Sequence, residues 1–87
     1  MFTVQERMPL HTPYFELIAE QCNYAVVMSK NTRDTWRLRV EDGWIVTDHM
    51  PKGQARYHHQ CRSAYIASAV KKIRSHDKYV MHHRRRK

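Results

Sequence analysis

The feature that most constrains this chain is a strict alternation of polar and apolar residues from Thr35 to Val40. Because successive side chains of a β-strand point to opposite faces, the alternation predicts a strand with one buried face. The segment Glu41-Asp42-Gly43 then supplies turn residues, and Trp44 to Asp48 resumes a strand-like pattern. The two segments are therefore predicted to form an antiparallel hairpin.

The register of this hairpin has two possibilities. A two-residue Asp-Gly loop would oppose Glu41 to Trp44, whereas a three-residue loop would oppose Val40 to Trp44. We favour the three-residue loop, because it places Trp44 on the same face as Trp36, with Gly43 in the left-handed region. A shift of one residue would turn Trp44 to the other face.

Other elements follow from local signals. Tyr24 to Met28 is a short apolar run that predicts a buried strand. Thr12-Pro13 is typical of a helix start, and apolar residues at helical spacing after it predict a helix over residues 13–22. Phe2 to Met8 alternates weakly and is a candidate short edge strand, which Pro9 would end.

The chain contains no Gly or Pro from Gln54 onward, which predicts one long helix from that point. Its expected core stripe consists of Ala55, His59, Arg62, Ile66, Ala69, Val70 and Ile73. Asp77 falls on the same face, and burying an unpaired carboxylate is costly. Core contact is therefore expected to end near Ile73–Ser75.

These elements give the order (β)-α-β-β-β-α. We predict a small α+β domain over residues 1–75, in which a three-stranded antiparallel meander carries helices on one face and ends in a long basic helix. Residues 76–87 form a basic C-terminal extension. Over residues 13–75 the order is similar to the layout of double-stranded-RNA-binding domains. Those domains carry a lysine cluster at the start of their last helix. The corresponding segment here is Pro51-Lys52-Gly53-Gln54-Ala55-Arg56, which holds only one Lys and one Arg.

The positive charge is concentrated in the second part of the chain. The 87 residues carry a net charge of +8. Residues 1–51 hold five Lys and Arg against seven Asp and Glu, whereas residues 52–87 hold eleven against one. Such asymmetry points to a polyanion or an acidic protein surface as partner.

The candidate binding residues are the cations of the last helix and the tail, because a line of long cationic side chains can neutralise several phosphates at once. They are Arg56, Lys71, Lys72, Arg74, Lys78, Arg84, Arg85, Arg86 and Lys87. Arg37 and Arg39, on the outward side of the predicted strand, are candidates for a second contact face. Exposed tyrosines that could stack on bases are Tyr57, Tyr65 and Tyr79.

Metal binding and catalysis have weaker signals. His58 and Cys61 lie three residues apart and could ligate zinc with Cys22 or His49, but the paired short-spaced units of structural zinc modules are absent. A chain of this length, with two glycines and no nucleophile or phosphate-loop motif, is not expected to be an enzyme. No cofactor is expected.

The sequence thus predicts a small cytoplasmic binding protein that engages DNA or RNA with little sequence preference. The alternative is a protein-interaction module, a modulator or inhibitor of a size common in phages and mobile elements, which docks its basic helix on an acidic partner. No apolar run approaches the 18 residues of a membrane span, and no apolar signal region is seen near the start. Two cysteines without an export signal are expected to be reduced thiols.

Overall fold

The computed structural model describes residues 8–84, with the side chains of residues 8–82. A short 3-10 turn, Met8–Leu10, precedes five strands and one helix. These elements are β1 (Phe15–Glu20), β2 (Tyr24–Ser29), β3 (Thr35–Glu41), β4 (Trp44–Met50), β5 (His58–Ser63) and α1 (Ile66–Arg84). The strands pair in chain order as one antiparallel sheet, β1-β2-β3-β4-β5. The α+β class is confirmed, with five strands and one helix in the described residues instead of three strands and two helices.

The core lies between α1 and one face of the sheet. The central strands contribute Ala25, Val27, Trp36 and Leu38, all fully buried. The helix contributes Ile66, Ala69, Val70 and Ile73, at the spacing of one helical face. Each large apolar side chain buried here contributes about 1.5–3 kcal/mol relative to an exposed one. The part of the predicted core stripe that lies within α1 is therefore confirmed.

Residues 13–22 do not form the predicted helix. Thr12 and Pro13 belong to a turn closed by a hydrogen bond from the Phe15 N–H to the Thr12 carbonyl oxygen at 3.2 Å. Beyond it the chain runs as β1 and pairs antiparallel with β2. The helical spacing of the apolar residues is a local signal, and it is outweighed by this non-local pairing. Leu17 and Ile18 consequently remain exposed on an edge strand, at 40% and 54%.

The prediction of one helix from Gln54 is also wrong for its first part. His58–Ser63 forms β5, which pairs with β4 across a bulge at Thr47 and Asp48. The residues of this strand have no marked β-propensity. They are extended because they pair with the backbone N–H and C=O groups at the edge of β4, which would otherwise lack partners. Ala64 and Tyr65 separate it from α1. Of the expected stripe, His59 and Arg62 therefore lie on a strand and are exposed.

The β3–β4 hairpin uses the two-residue loop. Glu41 pairs with Trp44, and both loop residues have positive φ, 52° at Asp42 and 78° at Gly43. These angles are those of a type I′ turn, whose twist matches the flanking strands. The three-residue loop is therefore wrong. Trp36 is fully buried in the core, whereas Trp44 is 41% exposed.

α1 crosses residue 75 without a break, and Asp77 is 1% exposed. The expectation that core contact ends near Ile73–Ser75 is therefore wrong, because the Asp77 carboxylate has hydroxyl partners. The layout of double-stranded-RNA-binding domains is not reproduced, since a strand stands in place of the first helix. The candidate strand Phe2 to Met8 falls outside the described residues, apart from Met8.

Candidate functional site

An open groove runs along the exposed flank of α1, with a volume of about 750 Å³. We call it the basic groove. Its charged and polar lining side chains include Tyr14, Asn31, Lys71, Arg74, Ser75 and Lys78. The described part of its lining contains no Asp or Glu. The described lining of the groove therefore carries only positive and neutral side chains.

Helical geometry explains why three cations meet here. Lys71, Arg74 and Lys78 are spaced by three and four residues, so they lie on one side of α1, and all three are exposed. Like charges at this spacing repel one another by a few tenths of a kcal/mol in the absence of a counter-charge. An anion in the groove would relieve that repulsion.

Tyr14 forms the wall of the basic groove opposite the helix. Its ring lies 4.8 Å from the guanidinium carbon of Arg74 and makes an edge contact with Phe15. Its hydroxyl donates a 2.6 Å hydrogen bond to Asp77. Burial, followed by the hydrogen bond and the nearby charge of Asp77, raises the pKa of Tyr14 above 10.0. The neutral Tyr14 ring is therefore held by Asp77 and packs against the Arg74 guanidinium.

A buried polar layer fixes this wall. Asp77 also accepts hydrogen bonds from the hydroxyls of Ser29 and Thr32, the latter at 3.2 Å. The Thr32 hydroxyl in turn accepts from the backbone N–H of Asp34 at 3.2 Å. The loop between β2 and β3, the start of β1 and α1 are therefore joined through one carboxylate. Sequence reasoning missed this function of Asp77, because its partners are distant in sequence.

Of the other predicted cations, Lys72 and Arg56 do not line the groove. Lys72 turns to the opposite flank of α1, where its Nζ donates to the carbonyl oxygen of Arg62 at 3.1 Å. Arg56 is exposed in the loop between β4 and β5. Arg84 is the last residue of α1. Its side chain falls outside the described residues, together with Arg85, Arg86 and Lys87.

The second candidate face is the sheet surface opposite α1. Arg37 and Arg39 lie on it, as the alternation predicts, but both are ion-paired with Asp48, which is 3% exposed. The Nε of Arg37 lies 3.1 Å, and that of Arg39 2.8 Å, from the same carboxylate oxygen. The hydrogen bond to Asp48, and then that to Glu41, raise the pKa of Arg39. Much of the positive charge of these arginines is therefore balanced within the protein.

Aromatic rings on this second face are also engaged. The guanidinium of Arg37 lies 4.3 Å from the ring centre of Tyr57, and that of Arg62 lies 4.7 Å from the ring of Trp44. Of the tyrosines considered for base stacking, Tyr57 is half-buried, whereas Tyr65 and Tyr79 are exposed on or beside α1 at 69% and 63%.

Neither zinc set considered from the sequence converges within the described residues. His49, the alternative to Cys22, does pair with His58 across β4 and β5. Cys22 lies in the turn between β1 and β2, whereas His58 and Cys61 lie in β5, at the opposite edge of the sheet. Four strand spacings separate β1 from β5, about 19 Å. Within residues 8–82 the metal-ligating side chains that converge are instead Asp34, His49 and His76.

Comparison of the chain with protein-family models, with curated proteins and with solved structures gives no match. No helix in the described part of the chain is long and apolar enough to cross a membrane.

Proposed function

We propose that this protein binds nucleic acid through the phosphate backbone, with the basic groove as the principal contact surface. The observation that carries the proposal is the convergence of Lys71, Arg74 and Lys78 on one groove whose described lining holds no acidic side chain. All three residues are among the nine cations predicted from the sequence as binding residues.

The dimensions suit a polyphosphate. From residue 71 to residue 78 the helix advances about 10 Å at 1.5 Å per residue. One strand of a duplex presents about three phosphates over that length, at 3.4 Å per nucleotide. The row of three cations is therefore comparable in length with the axial rise of about three nucleotides of a duplex.

The groove offers contacts to phosphate rather than a means of reading bases. Phosphate contacts position a protein on nucleic acid, whereas discrimination of sequence needs contacts to base edges. Lysine acts as a point charge, and Arg74 presents a planar guanidinium that is already stacked on Tyr14. We therefore expect similar affinities for unrelated sequences.

The proposal is tested by fluorescence anisotropy of short labelled single-stranded and duplex DNA and RNA, over a range of salt concentrations. Each neutralised phosphate contributes about −0.9 to the log–log salt slope for a duplex. If the groove and the basic residues beyond it together contact five to eight phosphates, the slope is about −4 to −7. Absence of binding at about 50 mM salt would refute the proposal and would favour the alternative of an acidic protein partner.

A further inference from the structure

A second cluster of chemistry-bearing side chains lies in the interior, apart from the basic groove. Asp34 precedes β3, His49 is near the end of β4 and His76 is on α1. One potential ligand atom from each lies within 4.8 Å of the other two. The Nε2 of His49 is 2.9 Å from an Asp34 carboxylate oxygen. Three elements distant in sequence thus bring two imidazoles and one carboxylate to a single point.

The packing around this point holds the imidazoles in place. The Trp36 indole stacks on the His49 ring, with centroids 4.0 Å apart and an interplanar angle of 14°. The ring of His76 meets both Trp36 and His49 edge-on, at 5.2 Å and 4.7 Å. The other oxygen of Asp34 accepts the backbone N–H of Lys52 at 2.8 Å. Outer contacts of this kind orient the ligands of metal sites.

The charges of the interior favour a cation at this position. Asp34 and Asp77 are each 1% exposed. Thr32 joins them, because its hydroxyl donates to Asp77 and accepts from the Asp34 backbone. In the described residues no Lys, Arg or His side chain makes an ion pair with Asp77. The Asp34 carboxylate already lies 2.9 Å from the Nε2 of His49, and a divalent ion bound between them would compensate the buried charge of Asp34 at short range.

One orphaned polar atom points to the same need. The indole nitrogen of Trp36 is buried and has no hydrogen-bond acceptor in the part of the chain that the structure describes. A buried donor of this kind needs an explanation, such as a water or an ion.

We propose that Asp34, His49 and His76 bind one divalent transition-metal ion of the zinc class. Two imidazole nitrogens and one carboxylate oxygen form a donor set that suits zinc, and water would take the fourth position. With metal–ligand bonds near 2.0–2.1 Å, ligand atoms in a tetrahedral site lie about 3.3 Å apart. The three atoms must therefore approach one another by at most about 1.5 Å when the ion binds.

The site is buried, because Asp34 is 1% exposed and His49 is 7% exposed. An ion here joins α1 to β4 and to the loop before β3. It would thereby stabilise the attachment of the helix that carries the basic groove, whether or not that groove binds nucleic acid.

The test begins with wild-type protein freed of metal by a chelator and titrated with Zn²⁺ or Co²⁺. We expect one ion per chain by native mass spectrometry, a melting temperature raised by several degrees and visible d–d absorption of Co²⁺ in a nitrogen and oxygen ligand field. Long-range ¹H–¹⁵N spectra of the imidazoles identify the site without a mutation. Zn²⁺ should shift the rings of His49 and His76.

The variants His76→Ala and Asp34→Asn should each weaken Co²⁺ binding by at least about 100-fold. Loss of a residue that only orients a metal ligand lowers affinity by about 10–100-fold, so a larger effect indicates a ligand. The matched control is His58→Ala, because His58 is exposed in β5 on an edge strand, and it should bind like wild type. Two results overturn the proposal. The first is that folded wild-type protein takes up no stoichiometric ion. The second is that Zn²⁺ binds but shifts the NMR signals of histidine rings other than those of His49 and His76.

Discussion

Tyr14 and Asp77 lie 63 residues apart in the chain and meet in a 2.6 Å hydrogen bond. The contact joins the segment before β1 to the middle of α1. It also places the Tyr14 ring beneath Arg74, so one buried carboxylate positions a wall of the basic groove. The interior and the proposed binding surface are therefore coupled.

The first prediction concerns the stability that this contact provides. Tyr14→Phe removes the hydroxyl and should lower the free energy of unfolding by about 1–3 kcal/mol, because a hydrogen bond to a buried charged group is lost. The control is Tyr65→Phe, which removes the same atom from a side chain that is 69% exposed. It should change stability by less than about 0.5 kcal/mol. Urea denaturation measures both, and equal effects would show that the contact is not stabilising.

The second prediction concerns pH. The pKa values of Tyr14 and Tyr57 are both raised above 10.0, in each case chiefly by burial. Because the folded state favours the neutral phenol, this contribution to stability is fully present below pH 10. It is lost as the pH rises through the pKa of the folded state.

Absorbance of tyrosinate against pH tests this expectation. Folded protein should show a late phase that urea abolishes, and Tyr14→Phe should reduce its amplitude. A late phase of unchanged amplitude in both Tyr14→Phe and Tyr57→Phe would contradict the assignment.

The third prediction concerns the β3–β4 turn. Gly43 has φ +78°, and a Cβ added there would have no heavy atom within 4 Å, so Gly43→Ala meets only conformational strain. We expect a loss of about 1–2 kcal/mol. Asp42→Asn should be neutral or slightly stabilising, because Asn-Gly suits the type I′ turn. Thermal unfolding measures both variants, and an unchanged melting temperature of Gly43→Ala would contradict the positive φ at this position.

Elements that follow from local sequence patterns could be predicted, whereas elements that depend on pairing between distant segments could not. The alternation at Thr35–Val40 and the spacing of Ile66, Val70 and Ile73 are local patterns, and the structure confirms both. β1 and β5 take their conformation from pairing with β2 and β4, and neither has a sequence pattern that is distinctive of a strand. The prediction therefore placed helices where the edge strands lie.

The same distinction between local patterns and distant contacts applies to the candidate sites. Lys71, Arg74 and Lys78 share a helix flank, so helical phase alone brought them together. The Asp34, His49 and His76 cluster draws on three separate elements, and the Asp77 partners lie 45 to 63 residues away. No local spacing reveals such sites. The ion pairs of Arg37 and Arg39 with Asp48 likewise needed the register of β3 and β4.

The central claim, that the basic groove binds phosphates, is tested most directly by comparing Lys71→Ala with Lys72→Ala. The residues are adjacent and the change in charge is identical, but Lys71 lines the groove and Lys72 contacts the carbonyl oxygen of Arg62 on the other flank. The measurement is affinity for duplex DNA and RNA against salt concentration. We predict that Lys71→Ala weakens binding roughly 5–10-fold at 0.1 M salt and makes the salt slope shallower by about 1, equally for unrelated sequences. Lys72→Ala should change affinity less than about 2-fold, since it removes no phosphate contact. Equal effects of the two variants, or an unchanged slope with Lys71→Ala, would contradict the groove as the binding surface.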